Sequence, residues 1–136
     1  MDYNYGYACD IWSVGCVTFE LLTGYPLFDP EKEPLNRDIH HLYLYEKILG
    51  PMPILLKKKS RRSKFLFDKK RNYHSKNIEP FEQMSIKTSL VKQFLFDEKE
   101  ADEITNFLLS ILQYMSNERP TAKELLQHSW LQNVDI

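Results

Sequence analysis

The sequence predicts a mainly α-helical fold, and three features of the chain support that prediction. Apolar residues recur at helical spacing over long stretches, whereas no stretch alternates apolar and polar residues as a half-buried strand does. Helix start and stop signals, such as the Gly50-Pro51 pair, flank these stretches. With 136 residues, 43% of them hydrophobic, the chain is long enough to form one domain with a buried core.

The first predicted helix runs from Ala8 to Thr23 and is apolar almost all round, which is typical of a buried central helix that ends at Gly24. Cys9 and Cys16 lie on it about 10 Å apart, too far for a disulfide. The chain has neither an apolar run of about 18 residues nor a charged-then-apolar leader. We therefore expect a reduced, intracellular protein in the cytoplasm, the nucleus or both, with no membrane partner.

The second predicted helix runs from Asp38 to Leu49, and one face of it carries Leu42, Tyr45 and Leu49. Residues 51–85 show little periodicity and are interpreted as an insert, because structureless connections of this length are uncommon in compact domains unless they are functional or mobile. After the insert we expect a short helix with apolar residues at Ile86, Leu90 and Phe94.

Two capping signals introduce the last predicted helices. Asp97 and Glu100 form an acidic variant of the capping box before a helix from Glu98 to Tyr114. The apolar stripe of that helix comprises Ile104, Phe107, Leu108, Ile111, Leu112 and Met115. Thr121 then begins a final helix that should end near Trp130 or Leu131, with an inner stripe of Ala122, Leu125 and Leu126.

Positive charge is concentrated in the insert. Residues 57–76 hold 10 of the 18 Lys and Arg but one of the 19 acidic residues. The basic patch at the start of this segment comprises Lys57, Lys58, Lys59, Arg61 and Arg62. Three interpretations stay open. The segment is a solvated flexible insert, or it serves nuclear import or nucleic-acid contact, or it takes part in phosphorylation, with Ser60 and Ser63 phosphorylated or the patch binding a phosphorylated serine of the substrate. Nucleic acid is disfavoured because no aromatic residue interleaves residues 57–64.

Two stretches carry a family resemblance. "DIWSVGCVTFELLTGYPLF", from Asp10, and "NERPTAKELLQHSWL", from Asn117, resemble in order the two late signature stretches of the large lobe of eukaryotic protein kinases. The resemblance implies that residues 1–136 form the C-terminal helical part of that lobe, an incomplete kinase domain with residues 51–85 as an insert. It also implies a set of structural anchors, namely Asp10, Trp12, Gly15 and Arg119.

The resemblance gives two of these anchors specific roles. Asp10 would be buried and would accept hydrogen bonds from backbone amides of the kinase catalytic loop, which is how a buried carboxylate becomes tolerable. Arg119 would pair with a glutamate at the end of the activation segment. The residues alone also allow Asp10 to be a helix cap and Arg119 to be a surface arginine.

Within the kinases, the chain resembles the SR-protein kinases from about Tyr5 to Leu131. The stretches that carry this likeness are "SKFLFDKKRNYHSKNIEPF" and "FLFDEKEADEITNFLLSIL". A second likeness, of "HHLYLYEKILGPMP" to the CDC-like or LAMMER kinases, covers less of the chain. The favoured likeness implies arginine-serine-rich splicing factors as protein substrates, held in an acidic docking groove.

The acidic residues available for such a groove are Asp29, Asp38 and Glu46. Other groove positions depart from the SR-protein kinase pattern: Tyr25, His40 and Lys47 fall where acids are expected, and Gln93 falls where a lysine is usual. A one-residue shift of the alignment would put Glu46 in place of Lys47. These departures reduce the negative charge that the resemblance implies for the groove.

Phosphoryl transfer by a protein kinase requires a glycine-rich loop, a strand lysine, an H-R-D-x-x-x-x-N loop and a D-F-G magnesium ligand. None of these motifs occurs in the 136 residues, and the spacing of Cys and His does not predict a metal site. We therefore assign no catalytic, cofactor-binding or metal-ligating residue. We expect that an N-terminal kinase part of a full-length protein binds ATP and magnesium. The alternative is a non-catalytic interaction module derived from a kinase lobe.

Overall fold

The computed structural model describes residues 5–30, 37–59 and 83–133. Within these ranges the chain forms helices and no strand, which confirms the predicted mainly α fold. The α-helices are α1 (Tyr5–Thr23), α2 (Arg37–Leu49), α3 (Ile54–Lys59), α4 (Ile86–Lys92), α5 (Glu98–Ile111), α6 (Ala122–Leu125) and α7 (Ser129–Gln132). A 3-10 helix at Ser116–Glu118 precedes α6. The chain divides into a terminal unit, Met1–Leu27 with Ser85–Ile136, and a middle unit, Phe28–Met84.

Helix α1 lies in the terminal unit and buries one face. Ile11, Gly15 and Phe19, spaced four residues apart, are buried, and the helix packs against α5 and the 3-10 helix. The helix ends as predicted at Gly24, which has φ +80 and donates its N–H to the carbonyl of Glu20 at 2.8 Å. The prediction that α1 is buried all round is wrong, because its packing partners cover one side. The large hydrophobic residues exposed on the remaining surface are Tyr7, Val14, Val17 and Leu21.

Helix α5 forms the centre of the terminal unit. Its N-cap is confirmed, since Asp97 Oδ2 accepts a hydrogen bond from the backbone N–H of Glu100 at 3.3 Å. The predicted apolar stripe is also confirmed, with Ile104, Phe107, Leu108, Ile111 and Leu112 all buried. Helix α4 packs on α5 and inserts Leu90, which is fully buried. Near this interface Lys87 and Asp102 form an ion pair with an N–O distance of 2.9 Å.

Helix α5 ends at Ile111 and not at Tyr114 as predicted. The backbone leaves helical geometry at Leu112, which has φ −84 and ψ 56. The carbonyls of Gln113 and Tyr114 then accept hydrogen bonds from the side chain of Arg119. A side chain from five or six residues further along therefore satisfies two main-chain carbonyls in the segment where helical periodicity predicts a further turn.

The prediction of one continuous final helix is wrong, because the segment forms two helices of four residues each. The predicted cap of the first is confirmed, since Thr121 Oγ1 accepts from the backbone N–H of Glu124 at 3.1 Å. Of its predicted inner stripe only Leu125 is buried, whereas Ala122 and Leu126 are exposed. His128 separates the helices with an extended backbone and caps the second, accepting from the N–H of Trp130 at 3.1 Å.

Helix α2 dominates the middle unit and ends at Gly50, which has φ +91. The start and end of this helix agree with the prediction to within one residue. Leu42, Tyr45 and Leu49, the residues that the sequence places on one face, are half-buried. Ile39 and Glu46, seven residues apart on one line of the helix, are buried. The ring of Tyr45 packs edge-on against Phe28, with centroids 4.6 Å apart.

Helix α3 was not predicted and occupies the first part of the insert. It follows Pro53, whose carbonyl accepts from the N–H groups of Leu56 and Lys57. Residues 60–82 of the insert, including Arg61 and Arg62 of the basic patch, lie outside the described residues.

Candidate functional site

The side chain of Arg119 connects the N-terminal end of α1 to the segment that follows α5. Its Nε donates to the carbonyl of Gln113 at 2.8 Å, and its two terminal nitrogens donate to Ala8 at 2.9 Å and Tyr114 at 3.4 Å. The guanidinium carbon lies 4.9 Å from the ring centroid of Trp12, a cation–π arrangement. Arg119 is therefore a half-buried cross-link, and its interpretation as a bare surface arginine is wrong.

The backbone turn that carries Arg119 explains how its guanidinium reaches α1. Arg119 follows the 3-10 helix and has extended backbone, with φ −76 and ψ 139, and Pro120 comes next. An extended residue before proline is the conformation that proline favours at the preceding position. The sequence stretch Glu118-Arg119-Pro120 thus directs a long, planar donor group away from its own turn and toward α1.

A cavity of about 650 Å³ lies beside this cross-link. Helix α1 contributes Asp10, Ile11 and Val14 to its lining, and residues 116–124 contribute Arg119 and Glu124. The residue Asp10 is exposed, so its expected burial is not met within the described residues. Asp10 lines an open, partly apolar cavity whose wall also includes Arg119.

The third predicted anchor, Gly15, is buried where α1 packs against α5. A Cβ atom at this position would lie 2.9 Å from Ile111 Cγ2 and 3.2 Å from Leu112 Cδ2. Such distances leave no room for a side chain unless the side chains of Ile111 and Leu112 move. The absence of a side chain at residue 15 therefore determines how closely the two core helices pack.

The acidic residues predicted for docking differ in their surroundings. Asp29 and Asp38 are exposed in the middle unit. Glu46 is 3% exposed, and its Oε1 accepts from the backbone N–H of Met52 at 3.0 Å and from Lys57 Nζ at 2.7 Å. The expectation that Glu46 offers a surface acid is corrected here, because its carboxylate is engaged inside the middle unit.

The same ion pair changes the interpretation of the basic patch. The side chain of Lys57 is 13% exposed, so this lysine is not a solvated member of the patch. Lys58, the next residue, is exposed. Nothing in the sequence distinguishes Lys57 from Lys58, since the two are identical neighbours. The difference comes from the geometry of α2 and α3.

The remaining positions that depart from the expected groove pattern belong to both units. In the terminal unit Tyr25 is exposed with its ring 5.8 Å from that of Phe94, and Gln93 caps α4. In the middle unit His40 stacks on Tyr43, with centroids 6.1 Å apart, and the carbonyl of Lys47 accepts from the N–H of Met84.

Comparison with known protein families identifies the family of this chain. The sequence model of the family described as "Protein kinase domain" matches residues 1–131. The chain belongs to the protein kinase domain family. This match confirms the resemblance that the stretches around Asp10 and Arg119 indicate.

Individual relatives of this kinase chain show the same assignment. It is 52% identical over 136 residues to L205 of Acanthamoeba polyphaga mimivirus, whose name describes a serine/threonine-protein kinase, covering 99% of this chain and 25% of the relative. It is 34% identical to serine/threonine-protein kinase SRPK of Physarum polycephalum, covering 92% of this chain and 29% of the relative. It is 31% identical to SRSF protein kinase 3 of Homo sapiens, covering 94% and 22%. The chain thus spans about a quarter of the length of these kinases.

The described residues were also compared with the requirements of a metal site and of a membrane-spanning helix. Among residues 5–30, 37–59 and 83–133, no group of three His, Cys, Asp or Glu side chains could hold a metal ion.

No helix in the described part of the chain has the length and apolar character needed to cross a membrane. Cys9 and Cys16 are free thiols, and burial raises the pKa of Cys16 above its ordinary value.

Proposed function

We propose that this chain is the C-terminal helical part of the large lobe of a protein serine/threonine kinase, in which it supplies scaffold and substrate docking. The observation that carries the proposal is the family match over residues 1–131. The names of the relatives at 31% to 52% identity, which describe serine/threonine kinases, support it. In the full-length protein the reaction would transfer the γ-phosphoryl group of ATP to Ser or Thr of a protein substrate.

This chain would contribute to the reaction by positioning other parts of the kinase. ATP and magnesium would be bound outside it, since it has neither the nucleotide-binding motifs nor a described acidic cluster that fits magnesium. Asp10 would accept backbone N–H groups of the catalytic loop at the cavity beside Arg119. That role is supported by the place of Asp10 on α1, next to a guanidinium already fixed by three main-chain carbonyls.

For the substrate we propose proteins rich in arginine and serine. Support comes from relatives named SRPK and SRSF protein kinase 3. Asp29 and Asp38 would provide negative charge for arginine side chains, as both are exposed. With Glu46 engaged by Lys57, the docking surface of the middle unit carries less negative charge than the sequence indicates.

The alternative function is a non-catalytic interaction module derived from a kinase lobe. It is favoured by one observation, the lack of any nucleotide-binding or catalytic motif in the 136 residues. Such a module would use the same docking surface to bind arginine-serine-rich proteins without phosphorylating them.

The test is a kinase assay on the full-length protein that contains this chain, purified from its source. Radiolabelled ATP and magnesium are supplied with one of two peptides. The first is an arginine-serine peptide, and the second is a matched peptide in which alanine replaces every arginine. We expect the arginine-serine peptide to be phosphorylated and the matched peptide to be a poor substrate. Binding of the arginine-serine peptide without labelling would support the interaction module, and labelling of both peptides equally would contradict the proposed substrate class.

A further inference from the structure

Both described ends of the insert meet at one turn of helix α2. At the start, the N–H of Gly50 donates to the carbonyl of Glu46 at 2.9 Å, and the N–H of Met52 donates to the Glu46 carboxylate at 3.0 Å. At the far end, the N–H of Met84 donates to the carbonyl of Lys47 at 2.8 Å. The chain therefore leaves α2 and returns to it at adjacent residues.

We propose that Glu46 and Lys57 form a buried ionic staple that closes the base of the insert, and that Lys57 thereby withholds Glu46 from substrate. The staple is defined as the Glu46 carboxylate, the Lys57 ammonium and the Met52 N–H. In this assignment Lys57 is a positioning residue, and the available positive charge of the insert begins at Lys58. The part of the proposal that concerns substrate rests on the proposed kinase function.

The burial of Glu46 is what makes the staple necessary. A carboxylate that is 3% exposed has lost most of its hydration, and it is tolerated only with charged and hydrogen-bonded partners. Lys57 Nζ at 2.7 Å and the Met52 N–H at 3.0 Å converge on the same oxygen, Oε1. The short N–O distance is typical of a charge-assisted hydrogen bond.

The local backbone brings the three groups of the staple together. Gly50 at φ +91 reverses the chain after α2, and a Cβ atom built there would lie 3.9 Å from Gln83 Nε2, so the two ends of the insert approach each other at this turn. Pro51 and Pro53 stiffen the segment before α3, which then carries Lys57 back to Glu46. A rigid corner of this kind lowers the entropy cost of ordering a long lysine side chain.

The first test measures hydrogen exchange at Met52 in the full-length protein. Because Pro51 and Pro53 have no N–H, Met52 supplies the only exchangeable backbone amide between Gly50 and Ile54. We expect Lys57→Met to accelerate exchange at Met52 by about tenfold, because the buried carboxylate loses the ammonium group that lies 2.7 Å from it, which weakens the corner. Lys58→Met, a change of the exposed neighbouring lysine, should leave the exchange rate within about twofold of wild type.

A double variant distinguishes an ion pair from a general packing role. In Glu46→Gln/Lys57→Met both charges are absent, and the glutamine oxygen can still accept from Met52. Exchange at Met52 should therefore be slower in the double variant than in Lys57→Met alone. Exchange in helix α5 of the terminal unit reports whether each variant is folded. An unchanged Met52 rate in a folded Lys57→Met protein would overturn the staple.

The second test measures the KM for an arginine-serine peptide. It distinguishes a Glu46 that only forms the staple from a Glu46 that binds substrate directly. Glu46→Gln should change KM by less than about twofold, since the paired carboxylate does not face substrate. Lys57→Met should lower KM, because it removes the cation that neutralises Glu46 and so raises the negative charge of the middle unit, and the double variant should not. A several-fold higher KM in Glu46→Gln would show that Glu46 docks substrate directly, whatever the exchange data show. Should the protein have no kinase activity, the exchange test still decides the staple.

Discussion

The guanidinium of Arg119 donates to main-chain carbonyls of two separate segments, one in α1 and one after α5. Its planar face also lies over Trp12 at 4.9 Å. A lysine has one terminal nitrogen and no planar face, so it could not reproduce this set of contacts. The residue type at position 119 is therefore determined by geometry as well as by charge.

Replacing Arg119 by lysine should destabilise the full-length protein by about 2 kcal/mol, because half-buried carbonyls lose charged donors and the ring contact is lost. Urea unfolding followed by tryptophan fluorescence measures this change. The matched control is Lys123→Met, since Lys123 is an exposed cation four residues further along. Equal effects of the two variants would contradict the cross-link.

The two glycines of α1 allow a second prediction with opposite signs. Gly15→Ala should destabilise the protein by about 1 kcal/mol, because a methyl group 2.9 Å from Ile111 costs more than the gain in helix propensity. Gly6→Ala should stabilise it by about 0.5 kcal/mol, because no atom of the described residues lies within 4 Å of a Cβ atom there. Thermal unfolding of both variants checks the signs. Two shifts of the same sign would show that propensity, and not close packing, governs these positions.

At the scale of the helices, capping residues and a stop glycine in the sequence correctly predicted helix ends that depend on contacts between neighbouring residues. Asp97 and Thr121 cap their helices as the sequence predicts, and Gly24 ends α1. Side-chain contacts with residues outside the helix decided the features that the sequence did not predict. The end of α5 depends on Arg119, and the buried line of α2 depends on the pairing of Glu46 with Lys57. No periodicity within one helix reports such pairs.

The break between α6 and α7 depends on His128. Its Nδ1 accepts from the N–H of Trp130, its Nε2 lies 2.8 Å from Asn106 Oδ1, and its ring packs edge-on against Phe107. Since Nδ1 is an acceptor, Nε2 carries the proton and donates to Asn106. One imidazole thus caps a helix and fixes it on α5.

Removing this cap should loosen α7 selectively. His128→Ala should cost about 1 kcal/mol and accelerate amide exchange at Trp130, because the N–H loses its acceptor. His128→Asn should restore part of the protection, as asparagine is a favourable N-cap residue. Exchange in α4 serves as the internal control. A slower or unchanged rate at Trp130 in His128→Ala would contradict the capping role.

At the scale of the whole chain, the sequence predicted the kinase family from two separated stretches, and the family match confirms it. The burial of individual residues was harder to predict. Asp10 and the apolar surface of α1 were expected inside a core, but the described residues cover one face of that helix. Burial of the remaining surface depends on what else packs there, which the apolar composition of α1 does not specify.

The exposed apolar surface of α1 leads to a prediction for Leu21→Glu that differs between the full-length protein and the 136-residue polypeptide. Leu21 is 81% exposed on α1. If the proposed full-length kinase covers it, Leu21→Glu should destabilise the full-length protein by about 2 kcal/mol, because an apolar side chain is replaced by a buried charge. A polypeptide of these 136 residues alone should aggregate or be molten, and there Leu21→Glu should instead increase the soluble fraction.

Leu126, which is 61% exposed outside α1, provides the control. Leu126→Glu should change the stability of the full-length protein by less than about 0.5 kcal/mol, as expected for an uncovered surface position. Thermal unfolding and the soluble fraction after centrifugation measure the two effects. A cooperative unfolding transition in the 136-residue polypeptide, with no gain in solubility from Leu21→Glu, would mean that α1 needs no further partner. If Leu21→Glu destabilises the full-length protein but not the 136-residue polypeptide, a segment outside these 136 residues packs on α1.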